Sequence, residues 1–263
     1  MFCNRRSGIL RLFACIAGLL ICLPAQADRP IVAAASDLQF ALQDIATQFQ
    51  ADTGKTVRLS FGSSGNFRRQ IAQGAPFELY LSADESYVEA LHRDGHTEDA
   101  GVLYAIGRLV VLAGADDPAA IVDGSLEQLR ARLEAGEITR FAIANPEHAP
   151  YGVAAKEALQ TSGLWEQIRP YLIIGENVSQ ATRYALSGET QGGLVAYSLA
   201  LAPSIGGRST YALVPEDLHS PLRQRMVLIR NAGDTARAFY DYLQQDAARA
   251  TLADYGFVAP DED

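Results

Sequence analysis

The residues in this chain that could do chemistry sit at four places: Ser36-Asp37, Ser63-Ser64, Tyr151 and Val178-Ser179. At each, a run that reads as a strand stops and a run that reads as a helix begins. The second place is the plainest. Val57, Leu59 and Phe61 alternate like a strand with one buried face. Gly62-Ser63-Ser64-Gly65 interrupts, and Phe67 and Ile71 then share a helical face. A helix starting there leaves its first backbone N–H groups without intrahelical acceptors. Those donors, the positive end of the helix dipole and a serine hydroxyl make an uncharged pocket for an anion. One such junction reads equally well as an ordinary serine cap. The chain makes it four times, at Ala35-Ser36, Gly62-Ser63-Ser64, Pro150-Tyr151 and Asn177-Val178-Ser179.

A serine nucleophile is the competing chemistry. Ser63 and Ser64 stand in Gly-Ser-Ser-Gly rather than in a G-x-S-x-G elbow, and no histidine–acid pair follows them in a chain order that would activate them. A pair brought close only in space stays open at this point. Asp37 is the first helical residue after the Ser36 cap. Its carboxylate is expected to engage its own helix start and point away from the site, while its backbone N–H remains a candidate donor. A carboxylate turned inward would repel a dianion unless it took a proton from a protonated one, such as hydrogen phosphate. Arg68 and Arg69 read as a solvated helix face. The four histidines (His92, His96, His148, His219) show no metal-ligand spacing, and His148 reads as structural.

The elements that must position these residues alternate. Ile31–Ala35 is a short buried strand, followed by a helical face through Leu38, Leu42, Ile45 and Phe49. Phe77–Leu81, Phe141–Ala144, Tyr171–Ile174, Gly192–Tyr197, Tyr211–Val214 and Met226–Ile229 read as further strands, with helices between most of them. This βαβα pattern implies mostly parallel sheets with helices on both faces, and ligands at the carboxyl ends of the strands. Tyr104–Ala113 is the expected crossing into a second lobe, and Pro215–Pro221 the crossing back. The predicted division is residues 28–108 with 221–263 in one lobe and 109–220 in the other. Two junctions lie on each side of the first crossing, so lobes that face each other would gather four helix starts in one cleft.

Residues 1–27 read as a secretory signal peptide: Arg5, Arg6 and Arg11 in front, an apolar run from Leu12 to Leu23, and Ala25-Gln26-Ala27 as the cleavage site. The general secretory route fits better than twin-arginine export, because Gly8 stands where a bulky apolar residue belongs. All 3 cysteines (Cys3, Cys15, Cys22) fall inside this leader, so the exported chain is expected to hold its core without disulfides. The formal charge of −9 becomes more negative once the leader arginines are removed. Such a surface argues against nucleic acid and anionic membranes, and any anion site must work through local dipoles and hydrogen bonds.

The ordered set Ala33-Ala34-Ala35-Ser36, Phe61-Gly62-Ser63-Ser64, Gln70 to Pro76, Ser82-Ala83-Asp84, Pro146 to Gly152 and Phe239 to Leu243 resembles the periplasmic molybdate-binding proteins of ABC importers, a family of two-lobed solute-binding proteins. The resemblance runs from Ile31 to Val258. It implies that Ser36, Ser64, Tyr151 and Val178 hold the oxyanion, the last through its backbone, and the backbone N–H of Asp37 joins them as a candidate. It also implies molybdate, and tungstate with it, as ligand, an ABC permease as partner, a monomer, no cofactor and no catalysis. Sulfate or phosphate is the alternative ligand, and a secreted serine hydrolase the alternative class. Some members of that family add a tyrosine hydroxyl from the strand matching Gly193–Tyr197. Here Ala196 holds that position, and Tyr197, one residue later, reads as a packed sheet aromatic.

Overall fold

The computed structural model describes residues 29–115, 122–205 and 207–260. The predicted leader, residues 1–27, lies outside them. Strand β1 (Ile31–Ala35) runs through a 3-10 turn (Ser36–Leu38) into α1 (Gln39–Thr53), and β2 (Arg58–Gly62) into α2 (Ser64–Ala72). Then come β3 (Phe77–Ser82), α3 (Glu85–Arg93), β4 (Val102–Gly107) and β5 (Leu109–Gly114). The second half holds α4 (Glu127–Glu134), β6 (Phe141–Ala144), α5 (Pro150–Thr161), α6 (Trp165–Ile168), β7 (Leu172–Gly175), α7 (Val178–Ala185), β8 (Gly193–Ala196), α8 (Tyr197–Ala200) and β9 (Ser209–Leu213). The chain ends in β10 (Leu222–Leu228), α9 (Asp234–Tyr242) and α10 (Asp246–Asp254).

These strands form two five-stranded sheets, ordered β2-β1-β3-β10-β4 and β7-β6-β8-β5-β9. The two sheets share one plan. Three strands run parallel, with β1 central in the first and β6 in the second; one reversed strand (β10 or β5) follows, and an edge strand (β4 or β9) pairs antiparallel with it. Helices cover both faces of the first sheet, so its strands are apolar on both sides rather than alternating. Val32, Ala34, Leu79, Leu81 and Met226 pack toward α1, α9 and α10, where Phe49 meets Phe239 with ring centroids 5.0 Å apart. Ala33, Tyr80 and Val227 pack the other way against Phe67, Ile71, Val88 and Leu91 of α2 and α3. The second lobe has one core, from Val110, Phe141 and Ile143 to Ala155, Ala181 and Leu194.

The crossing expected within Tyr104–Ala113 is a single residue, Arg108, because the β-rich run is two strands in two different sheets. The return lies between Leu213 and Leu222. In register, Ala35 pairs with Gly62 at the carboxyl ends of β1 and β2, and Ala144 with Gly175 at those of β6 and β7. At each of these switch points two neighbouring strands send their helices to opposite faces, which leaves a crevice with two helix starts at its rim. The lobes set the two crevices against each other.

Candidate functional site

One recess between the lobes is lined by Ala35, Ser36, Asp37, Gly62, Ser63, Ser64, Ala83, Ala149, Pro150, Tyr151 and Val178. All four strand–helix junctions reach it, and no lysine or arginine does. Local geometry explains why each junction keeps a donor free. At α2, Gly65 N–H is spent across the gap on the His148 carbonyl (2.9 Å), while Ser64 N–H finds no acceptor among the described residues. At α5, Pro150 has no N–H, and Gly152 and Val153 both turn to the Ala149 carbonyl, which leaves Tyr151 N–H. At α7, Ser179 N–H goes to Ser36 Oγ (3.3 Å), which leaves Val178 N–H. First-turn amides have no partner inside the helix, so a ligand in the recess is their natural acceptor.

The hydroxyls are equally constrained. Ser64 is fully buried. Its Oγ accepts Ala83 N–H (3.0 Å) and its carbonyl accepts Tyr80 Oη–H (2.8 Å), so the side chain is fixed and its hydroxyl proton stays available. Ser36 Oγ likewise accepts from Ser179, leaving its own proton to donate. Ser63 does not cap α2. Its Oγ meets His148 Nδ1 at 2.9 Å from the other lobe. Further direct contacts span the gap. Ser179 Oγ donates to the Ser36 carbonyl and Ser198 Oγ to the Asp37 carbonyl, both at 2.8 Å, and Asn66 donates to Glu176. Gly65 permits a close approach, since a Cβ there would lie 2.8 Å from the His148 carbonyl oxygen.

Asp37 does more than expected. Only 1 % of its surface is exposed, and its carboxylate engages the amides of its own helix start, at Asp37 and Leu38, and also a network beside the crossing strands. Gln224 of β10 donates from Nε2 to Asp37 Oδ2 (2.6 Å) and, more weakly, to Tyr151 Oη (3.4 Å). Tyr104 Oη of β4 donates to Gln224 Oε1 (2.6 Å). Gly107 makes room, because a Cβ there would overlap Tyr151 Oη and Gln224 Nε2. Burial pushes the Asp37 carboxyl up to about 6, against the hydrogen bonds from Gln224 and Tyr151, which favour the anion. Oδ1 makes no well-formed hydrogen bond, and the amides of Asp37 and Leu38 also favour the charged carboxyl. Asp37 therefore lines the recess with its carboxylate buried and bonded to Gln224, a partner the sequence did not point to.

A family model described as bacterial extracellular solute-binding protein matches residues 31–258. The chain belongs to that family. This solute-binding protein is 38 % identical, over 96 % of each chain, to a molybdate-binding protein ModA of Rhodobacter capsulatus. It is 35 % identical to that of Escherichia coli, over 86 % of this chain and 88 % of the other. Among solved structures, the periplasmic molybdate-binding protein of Azotobacter vinelandii superposes with a TM-score of 0.79. The match covers 88 % of this chain and all of that one, at 28 % identity.

Within this solute-binding protein the five residues named from sequence, Ser36, Asp37, Ser64, Tyr151 and Val178, all line the one recess. Tyr197 does not. It opens α8 instead of ending a strand, and its ring packs on Tyr211 at 5.4 Å. Arg68 pairs with Asp94 on the outside, as a solvated residue does. Sequence reasoning missed His148 as a bridge between lobes, and Gln224 altogether. The signal for Gln224 was present: in Leu222, Gln224 and Met226 one polar residue interrupts a buried period-two face. Among the described residues no group of three histidines, cysteines or carboxylates could hold a metal ion, and no helix is long and apolar enough to cross a membrane.

Proposed function

We propose that this protein captures a tetrahedral oxyanion, molybdate and with it tungstate, in the interlobe recess and delivers it to the permease of an ABC importer. The observation that carries this reading is the convergence of first-turn amides from both lobes on a recess with two donor hydroxyls and no cation. A fully deprotonated dianion needs only donors, and the dipoles of opposed helix starts supply attraction without a counter-charge. The relatives named above are molybdate-binding proteins, which favours the larger oxyanion over sulfate or phosphate. On this reading residues 28–108 with 221–263 and residues 109–220 are the two lobes, closing by movement at Arg108 and in the return segment. The protein works as a monomer in the periplasm, without a cofactor and without catalysis, after loss of residues 1–27.

Hydrolysis has one observation in its favour. Ser63 Oγ, His148 and Glu176 stand in line, the sort of spatial grouping that chain order could not exclude. The second link, His148 Nε2 to Glu176 Oε2, is 3.6 Å, beyond hydrogen-bonding reach, and Glu176 is well exposed and shared with Asn66. The line joins two lobes, as a latch does, and Ser63 is buried within it.

Calorimetry of the ligand-free mature protein with molybdate, tungstate, sulfate and phosphate tests the proposal. Tight binding of the first two and weak binding of the others is expected. Tight phosphate binding, or ester turnover lost in Ser63→Ala, would replace the reading.

A further inference from the structure

We infer that Asp37 makes oxyanion capture proton-linked: its carboxylate, ionised in the free protein at neutral pH, takes up one proton from solvent as the dianion enters the recess. The inference rests on the oxyanion reading above and adds to it a group that sets how affinity varies with pH.

The geometry comes first. Asp37 lines the recess itself and is closed off from water by both lobes. Every other group offered to the anion is a neutral donor, so Asp37 is the one charged residue in the lining, and the sign of its charge is wrong for a dianion. The groups packed on it do not neutralise it. From β10 it meets the amide of Gln224, and from α5 and β4 come the hydroxyls of Tyr151 and Tyr104. From α8, Ser198 reaches only its carbonyl. Both tyrosines are held well above their ordinary range by burial and by Asp37 itself, so they stay neutral. None of these partners is a cation.

Two like charges a few ångströms apart where water is excluded raise each other's affinity for protons. Burial, set against the hydrogen bonds that favour the anion, already brings Asp37 to about 6. A dianion in the same recess raises it further, and a proton on the carboxyl removes the repulsion. The hydrogen bonds decide where the proton sits. Oδ2 receives Gln224 Nε2–H, whose orientation is fixed by Tyr104 donating to Oε1, so the proton belongs on Oδ1, the oxygen without a well-formed bond. The balance is simple: carboxylate, solvent proton and dianion give carboxylic acid and bound dianion. An oxyanion that arrived singly protonated and passed its proton to Asp37 would form the same complex.

The test is calorimetry with molybdate, which does not itself titrate near neutrality, in buffers of different ionisation enthalpy between pH 7 and 9. The wild-type protein is expected to take up close to one proton per molybdate at pH 7. Its affinity should fall as pH rises above that, by up to about tenfold per unit, with a slope equal to the proton uptake. Asp37→Asn is expected to bind molybdate with no proton uptake and an affinity nearly flat over the same range. The wild-type measurement stands whether or not the variant folds. Tight molybdate binding without proton uptake would overturn the inference and leave the oxyanion reading intact. Failure to bind molybdate at all would overturn both.

Discussion

Ser64 places two demands on one oxygen. Its lone pairs hold the buried Ala83 N–H, and its proton is left for the ligand. Ser64→Ala removes both. A hydrogen bond to a charged acceptor is worth about 1.5–3 kcal/mol, so molybdate affinity should fall roughly tenfold to a hundredfold while the backbone donors persist. The substitution also strands the Ala83 amide, which costs about 1–3 kcal/mol, so the ligand-free melting temperature should drop by several degrees. From sequence alone, Ser64 reads as lining a surface cleft, with little effect on melting expected. Its complete burial reverses that expectation. Ser63→Ala should weaken binding clearly less, since its hydroxyl faces His148. Calorimetry and thermal melts of the two variants side by side check this, and an equal or larger loss from Ser63→Ala would contradict the assignment. Asp37 makes a separate prediction about stability. A carboxyl at about 6 when folded and near 3.8 when unfolded opposes folding once it must ionise in the buried site. Below the unfolded value it opposes nothing. The cost grows as pH rises through the folded value, to at most about 3 kcal/mol. Asp37→Asn should therefore melt higher than wild type at pH 7.5, with the difference vanishing near pH 4. A difference that persists at pH 4 would mean that packing, not charge, sets it.

At the scale of elements, most of the fold was legible because many of the strands are short apolar runs closed by a glycine, serine or proline. The run Ile31–Ala35 followed by Ser36 could be little else. Two kinds of feature were not legible. The antiparallel pairings of β10 and β5 depend on which sheet the chain enters after crossing, and no local pattern encodes that. The long run Tyr104–Ala113 was legible as the crossing but not as two strands, because Gly107 is its one breaker where the chain changes sheets at Arg108. At the site, the helix starts announced themselves by residue type, and all five named positions line the recess. The contacts between lobes could not be read, because Ser63 with His148 and Asp37 with Gln224 are separated by 85 and 187 residues. Tyr197 shows the same limit in reverse. Its neighbours made a strand, but pairing with β5 ends at Ala196 and the chain turns into α8.

For the whole molecule, the question is how much of closure belongs to the protein and how much to the ligand. The lobes already touch through bonds of their own: Gly65 N–H to His148, His148 to Ser63, Ser179 to Ser36 and Ser198 to Asp37. Each is worth about 0.5–1.5 kcal/mol net. Together they bias the free protein toward the closed form without fixing it, while an oxyanion bridging amides from both lobes adds affinity only to that form. A latch of this kind raises apparent affinity by increasing the population of the state that can bind. His148→Ala removes the side-chain half of the latch and keeps the backbone bond from Gly65. Losing about 1 kcal/mol of closure should lower molybdate affinity about fivefold and leave the Asp37-linked pH dependence unchanged. In solution scattering, the ligand-free variant should have a larger radius of gyration than the ligand-free wild type, and saturating molybdate should bring the two together. Identical radii with and without molybdate in both proteins would mean that the lobes do not open, and that the recess fills by some route other than hinge closure.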